Sequence, residues 1–177
     1  MMESASIKTP RLRLVGIGTE ALARLIDGDA EGASQIQGAV FSSDFLATVN
    51  GAFLTIHLEG LRRRPSSPGW FVRAITRQRD GLIVGHCGFH GDPRDVGRAE
   101  IGYTIFTRYR RCGYGAESVR GLLEWAKTQY VSEIVAIISP TNTPSIGLVS
   151  KLGFHQSDVR VSGADHEELV FTLSLTE

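Results

Sequence analysis

Cysteine is scarce in this chain, long apolar runs are missing, and neither sign of charge prevails. Cys87 and Cys112 are its two cysteines. Neither sits in a metal-ligand or redox spacing, which argues against thiol-ligated metal chemistry and fits a reducing compartment. No segment approaches the roughly 20 consecutive apolar residues that cross a bilayer. The opening Met1-Met2-Glu3-Ser4-Ala5-Ser6 lacks a basic region followed by an apolar run, so the chain is expected to be cytoplasmic, with no membrane partner. The 19 basic and 19 acidic residues cancel, leaving no global field to draw it to nucleic acid. Repeats, linkers and low-complexity tracts are absent too. At 177 residues and 42% hydrophobic content, one domain spanning 1–177 with a sizeable core is expected.

Periodicity then assigns elements. Arg11-Leu12-Arg13-Leu14-Val15 alternates with period two, as a half-buried strand does, and Thr19 caps a short helix through Ile26. A polar, glycine-containing stretch follows. Leu54, Leu58 and Leu61 place a helix over 52–61, which the Arg62–Gly69 stretch breaks. Strands are expected over 70–76 and 82–89, joined through Arg79-Asp80-Gly81, and a third over 99–106. Val119, Leu122, Leu123, Ala126 and Tyr130 recur at helical spacing before the apolar run Ile134–Ile138, which suits a buried parallel strand. A last helix starts at Thr143-Pro144 and stops at Gly153, and Leu169, Phe171, Leu173 and Leu175 alternate as a closing strand. This order describes an α+β, or mixed α/β, fold: a central sheet with helices on its faces.

The loop Arg110-Arg111-Cys112-Gly113-Tyr114-Gly115-Ala116 stands between a strand and an amphipathic helix. Glycines permit a tight turn and close approach of a ligand, and the unpaired N–H groups of a helix start favour a phosphate. Arg110 and Arg111 can add charge-assisted bonds. A Walker loop fails for want of Gly-Lys-Ser/Thr. A dinucleotide fingerprint fails because Ser118, not glycine, stands three residues after Gly115.

The remaining pattern, Arg110-x-x-Gly113-x-Gly115, resembles the coenzyme A loop of the GNAT superfamily of N-acetyltransferases. Thr9-Pro10-Arg11-Leu12-Arg13-Leu14, Ala99-Glu100-Ile101-Gly102-Tyr103, and Asn142-x-x-Ser145 leading to Lys151-Leu152-Gly153-Phe154 are similar to its ribosomal-protein N-terminal acetyltransferase branch. The likeness runs from Gly85 to Phe154, whereas 26–68 holds nothing diagnostic. It implies a mixed, mostly antiparallel sheet with helices on both faces and a splayed parallel strand pair at 101–106 and 134–138. It further implies acetyl-CoA as acyl donor, no metal, and an amine acceptor, either a peptide N-terminus or a small molecule. Homodimerisation is compatible with the likeness.

The resemblance also implies direct attack of a neutral amine on the thioester, with a backbone N–H near Ile105 facing the oxyanion and Tyr103, Cys112, Tyr114, Ala116 and Asn142 among the coenzyme-binding positions. Glu100, on the strand face opposite Ile101 and Tyr103, is the candidate base, with a surface or substrate-orienting carboxylate as the alternative. An α-amino group costs only about 1.4 kcal/mol to deprotonate at pH 7, against roughly 4.6 for a lysine, so the need for a base depends on the amine. Val149 occupies the position where many family members carry a thiolate-protonating tyrosine, and Ser145, one turn earlier, is the candidate substitute. A backbone-bonded first-turn serine is the alternative. His86 and His90 lie about 13 Å apart if on one strand, too far to share an ion. Cys112 lacks an evident histidine base, so covalent catalysis is not expected.

Overall fold

A computed structural model describes residues 6–96, 98–162 and 166–176. An eight-stranded sheet comprises β1 (Ile7–Lys8), β2 (Leu12–Gly16), β3 (Arg73–Arg77), β4 (Ile83–Phe89), β5 (Ala99–Ile105), β6 (Glu133–Ile138), β7 (His155–Ser162) and β8 (His166–Ser174), in the spatial order β1-β2-β3-β4-β5-β6-β8-β7. Neighbours are antiparallel except β5 and β6. The turn at Gly81, in the left-handed region at φ 71°, lets β3 fold back on β4. Parallel neighbours need a crossover, and between β5 and β6 a helix, α6 (Tyr114–Thr128), supplies it.

Before β3 lie α1 (Thr19–Ile26), α2 (Ala30–Gln37), α3 (Ser43–Thr48) and α4 (Gly51–Arg63). The short α5 (Pro93–Val96) follows β4, and α7 (Thr143–Lys151) follows β6. Strand alternation sorts the two faces. Phe89 of β4 packs on Trp125 of α6, ring centroids 5.4 Å apart, whereas His86 and His90 lie 6.1 and 6.2 Å from Phe53 of α4. The α6 helix therefore covers one face and α4 the other. Leu12, Leu14, Ile75, Phe89, Leu122 and Ile134 are fully buried between them.

Several expectations shift. The cap of α1 is Gly18, with Thr19 already its first residue, and no side chain closes that end. The cap of α7 is Asn142 rather than Thr143, because the Asn142 carboxamide oxygen accepts the Ser145 N–H at 3.3 Å. The segment 68–70 is a 3₁₀ turn, and β3 begins only at Arg73. The uninformative stretch 27–50 contains α2 and α3, and β7 was not expected.

The parallel pair is short. It joins Ala99 to Ile134, Glu100 to Val135 and Ile101 to Ala136, although β5 runs on to Ile105 and β6 to Ile138. Each strand keeps its outer partner to the end, Ile105 opposite Gly85 and Ile138 opposite Leu169. Past Ile101 and Ala136 the two strands diverge.

Candidate active site

The gap has a defined lining. Phe106 N–H donates to Val84 and His90 N–H to Glu100, at 3.0 and 2.8 Å, so even-numbered positions of β5 turn their backbone groups toward β4. By alternation, Tyr103 and Ile105 turn theirs into the gap. The Ile105 carbonyl already accepts Arg110 Nε at 3.1 Å.

At the end of the gap α6 begins. Its cap, Gly113, is left-handed at φ 79° and provides no side-chain bond, and Arg111 is left-handed as well, at φ 60°. Glu117 N–H bonds the Gly113 carbonyl and starts the helical ladder, so the N–H groups ahead of it face outward without intrahelical partners. A Cβ on Gly115 would stand 2.9 Å from Leu148 Cδ1, so glycine here lets α7 approach the helix start closely. A cleft of about 780 Å³ runs along these groups. Tyr103 and Ile105 line it from β5, Arg110, Arg111 and Gly113 from the loop, Tyr114, Gly115 and Ala116 from α6, and Asn142 and Ser145 from across the gap. The Tyr103 hydroxyl donates to the Ser145 carbonyl at 3.4 Å and so bridges β5 to α7. Burial pushes the Tyr103 phenol above its usual range, against the opposing effect of Ser145.

Three of the singled-out residues lie elsewhere. Val149 is fully buried in the core. Cys112 is exposed beside the cleft, and its carbonyl accepts Arg11 Nη1 at 3.0 Å. Glu100 points to the α4 face. There its carboxylate accepts Arg98 Nη2 at 2.7 Å and meets His90 Nδ1 at 2.8 Å. Burial raises this carboxyl, but His90 and Arg98 outweigh it and hold it below the usual carboxylate range. A carboxylate so held is a weaker base than the sequence alone suggested.

The same face carries two further histidines. Burial pushes His86 down to about 4 and, with help from His90 and His86, pushes His57 down to about 3. His57 Nδ1 accepts Val72 N–H at 3.2 Å, and His86 Nε2 is buried with no hydrogen-bond partner among the described residues. Among the described residues no group of three His, Cys, Asp or Glu is placed to hold a metal ion, and no helix is long and apolar enough to cross a membrane.

Residue patterns did not reveal the brace behind the loop. Glu117 accepts Thr9 Oγ1 at 2.6 Å and both Arg11 N–H and Arg11 Nε at 2.7 Å, while the Arg11 guanidinium lies 4.9 Å from the Tyr114 ring centre. Burial raises the Glu117 carboxyl, but Thr9 and Arg11 prevail and hold it below the usual range. A carboxylate one turn into a helix that is to bind an anion needs a cation, and that was the available signal.

A divergent parallel pair opening onto a glycine-started helix is the arrangement that the resemblance to acetyl-CoA-dependent N-acetyltransferases implies. The sequence model described as an acetyltransferase (GNAT) domain matches residues 11–155, and the chain belongs to that family. It is 30% identical to the uncharacterized N-acetyltransferase YjdG of Bacillus subtilis (strain 168) over 153 residues, 84% of this chain and 88% of that one. Other curated relatives align with it over only 46% and 48% of their length. Its fold is shared with the ribosomal-protein-S5-alanine acetyltransferase of Vibrio fischeri (TM-score 0.67, 15% identity, 96% of each chain). It is also shared with the microcin C7 self-immunity acetyltransferase MccE, solved with acetyl-CoA and AMP (TM-score 0.63, 14% identity, 94% of this chain and 93% of that one).

Proposed function

We propose that this chain acts as a single domain to move the acetyl group of acetyl-CoA to a primary amine, a peptide N-terminus or a small-molecule amine, by direct attack with both substrates bound. The observation that carries this reading is the divergence of β5 from β6 at Ile101 and Ala136, which opens onto the start of α6. Acetyl-CoA supplies a thioester whose carbonyl carbon is the electrophile. The outward N–H groups at Gly113–Ala116 and the Arg111 side chain fit its pyrophosphate, as do the left-handed Gly113 and the side-chain-free Gly115. Arg110, bonded to the Ile105 carbonyl, fixes the loop against the strand end, and the Cys112 backbone serves as loop geometry.

Ile105 N–H is the donor for the carbonyl oxygen as charge builds on it. Tyr103 and Asn142 wall the pantetheine arm, Tyr114 packs beside the nucleotide end, and the Ser145 hydroxyl gives a hydrogen bond to the departing sulfur. Val149, closed into the core, takes no part. The proton leaves the amine on the opposite sheet face, where Glu100 lies.

Thermal melting with acetyl-CoA, CoA and NAD tests this. A ligand at 100 times its dissociation constant stabilises by about 2.7 kcal/mol, or roughly 5–10 °C for a chain of this size. Acetyl-CoA and CoA are expected to raise the melting temperature of the wild type and not of Gly115→Glu, whose carboxylate would occupy the anion site. A shift with NAD and none with either CoA species refutes the assignment.

A further inference from the structure

His90 follows β4 directly and is exposed, while its partner Glu100 is nearly enclosed: their side chains are 41% and 12% exposed. One Glu100 oxygen meets His90 Nδ1 at 2.8 Å and the other takes Arg98 at 2.7 Å. Both carboxylate oxygens are therefore occupied. An ionised carboxylate only accepts, so the contact places a proton on Nδ1, and in the neutral ring the lone pair is then on Nε2.

Nε2 sits at a telling place. A Cβ built on Gly102 would stand 2.5 Å from it, so the ring lies directly over this glycine. Gly102 is the first residue of β5 beyond the last parallel pair, Ile101 with Ala136. This nitrogen thus overlies the mouth of the gap, on the face away from α6. His86 and His57, the other histidines of this face, are buried.

We propose that His90 Nε2 is the atom that takes the proton from the acceptor ammonium, and that Glu100 is a positioning residue that fixes the tautomer and orientation of the ring. This rests on the acetyltransferase reading. The ammonium N–H bond breaks as its proton passes to Nε2. The freed amine lone pair forms the C–N bond, the C–S bond breaks with its electrons on sulfur, and the imidazolium later returns its proton to solvent. The titratable and charged groups around His90 are Glu100, which Arg98 also holds, His57 and Arg63 on α4, and Asp92 and Asp95 after β4, while His86 lies across Phe53 from it.

The test is the pH dependence of kcat/KM for any amine the wild type acetylates, beside acetyl-CoA affinity and melting temperature. With a working base the wild-type profile levels off below the amine's own deprotonation, because the protonated amine is then usable. His90→Gln is expected to bind acetyl-CoA normally, to lose about 100-fold near pH 7.5, and to keep rising until the amine's own deprotonation, so that its deficit narrows with pH. Glu100→Gln, which removes the charged acceptor that fixes the ring, is expected to lower the plateau by less than His90→Gln does while keeping a plateau, because the base itself remains. Gly102→Ala, which crowds the ring without removing it, is expected to show the rising profile in milder form. A His90→Gln deficit that is absent, or equal at every pH, overturns the assignment and leaves the acetyltransferase reading intact. A wild type that neither binds acetyl-CoA nor acetylates an amine overturns both.

Discussion

Glu117 puts a negative charge where the start of α6 is poised for an anion, and its neighbours offset that charge. Two of its three bonds come from neutral groups, Thr9 Oγ1 and the Arg11 N–H, and the third comes from a guanidinium whose side chain is 52% exposed. Solvent screens that last attraction, so the hydrogen bonds carry the cost of Glu117→Gln, about 1–3 kcal/mol. The carboxyl is held below its ordinary range when folded. Its contribution is therefore complete above the unfolded value, near 4.3, and fades as pH falls through the folded one. Melting curves of wild type and Glu117→Gln are expected to be separated at pH 7 and to converge in strong acid. Parallel curves would show that the ionised form is not the one bonded. Acetyl-CoA is expected to bind the variant several-fold more weakly, since Arg11 also holds the Cys112 carbonyl.

At the level of elements, the divergence of β5 from β6 predicts a pattern of amide exchange. Tyr103 and Ile105 N–H face the gap, while Gly102 and Thr104 N–H face β4. Hydrogen exchange is expected to be faster at Ile105 than at Thr104 in the free protein, and to slow at Ile105 when acetyl-CoA is added. Equal protection in the free protein would mean that the gap is closed. The elements that frame this site were legible because each has a strong period or a marked boundary: Ile134–Ile138 is an unbroken apolar run, and α6 follows two glycines. The unforeseen elements lack such signals. Only Ala33 is fully buried in α2, too narrow a stripe to read. The edge strand β7 carries Asp158 and Arg160, charges that discourage further pairing, and leaves Val159 and Val161 43% and 66% exposed, so no buried face gives it a period to read. The face on which Glu100 lies followed from alternation, but its partner did not. His90 meets it only through the register of β4 on β5, which no local pattern encodes.

Across the whole molecule, two buried histidines set the response to acid. His57 and His86, held at about 3 and 4, compare with about 6.5 in an unfolded chain, so the unfolded state binds their protons first as pH falls. Their stabilisation is complete above about 6.5 and drains away toward the folded values, at roughly 2 kcal/mol for each between pH 7 and 5. The melting temperature is expected to drop over that range, well before Glu117 titrates. His86→Phe, placed beside Phe45 and Phe53, is expected to halve the drop. An unchanged slope would show that His86 is not buried in its neutral form.

The Glu117 brace also bears on how the chain acquires its ligand site. Thr9 and Arg11 stand 108 and 106 positions from their carboxylate, so the loop between them is complete only when the first strands have docked on a helix synthesised much later. Coenzyme affinity is in that sense a gauge of whether the N-terminal strand is seated. A shortened or fused N-terminus that leaves the core intact would announce itself first as a weakened hold on acetyl-CoA, far from the altered end in sequence and adjacent to it in space.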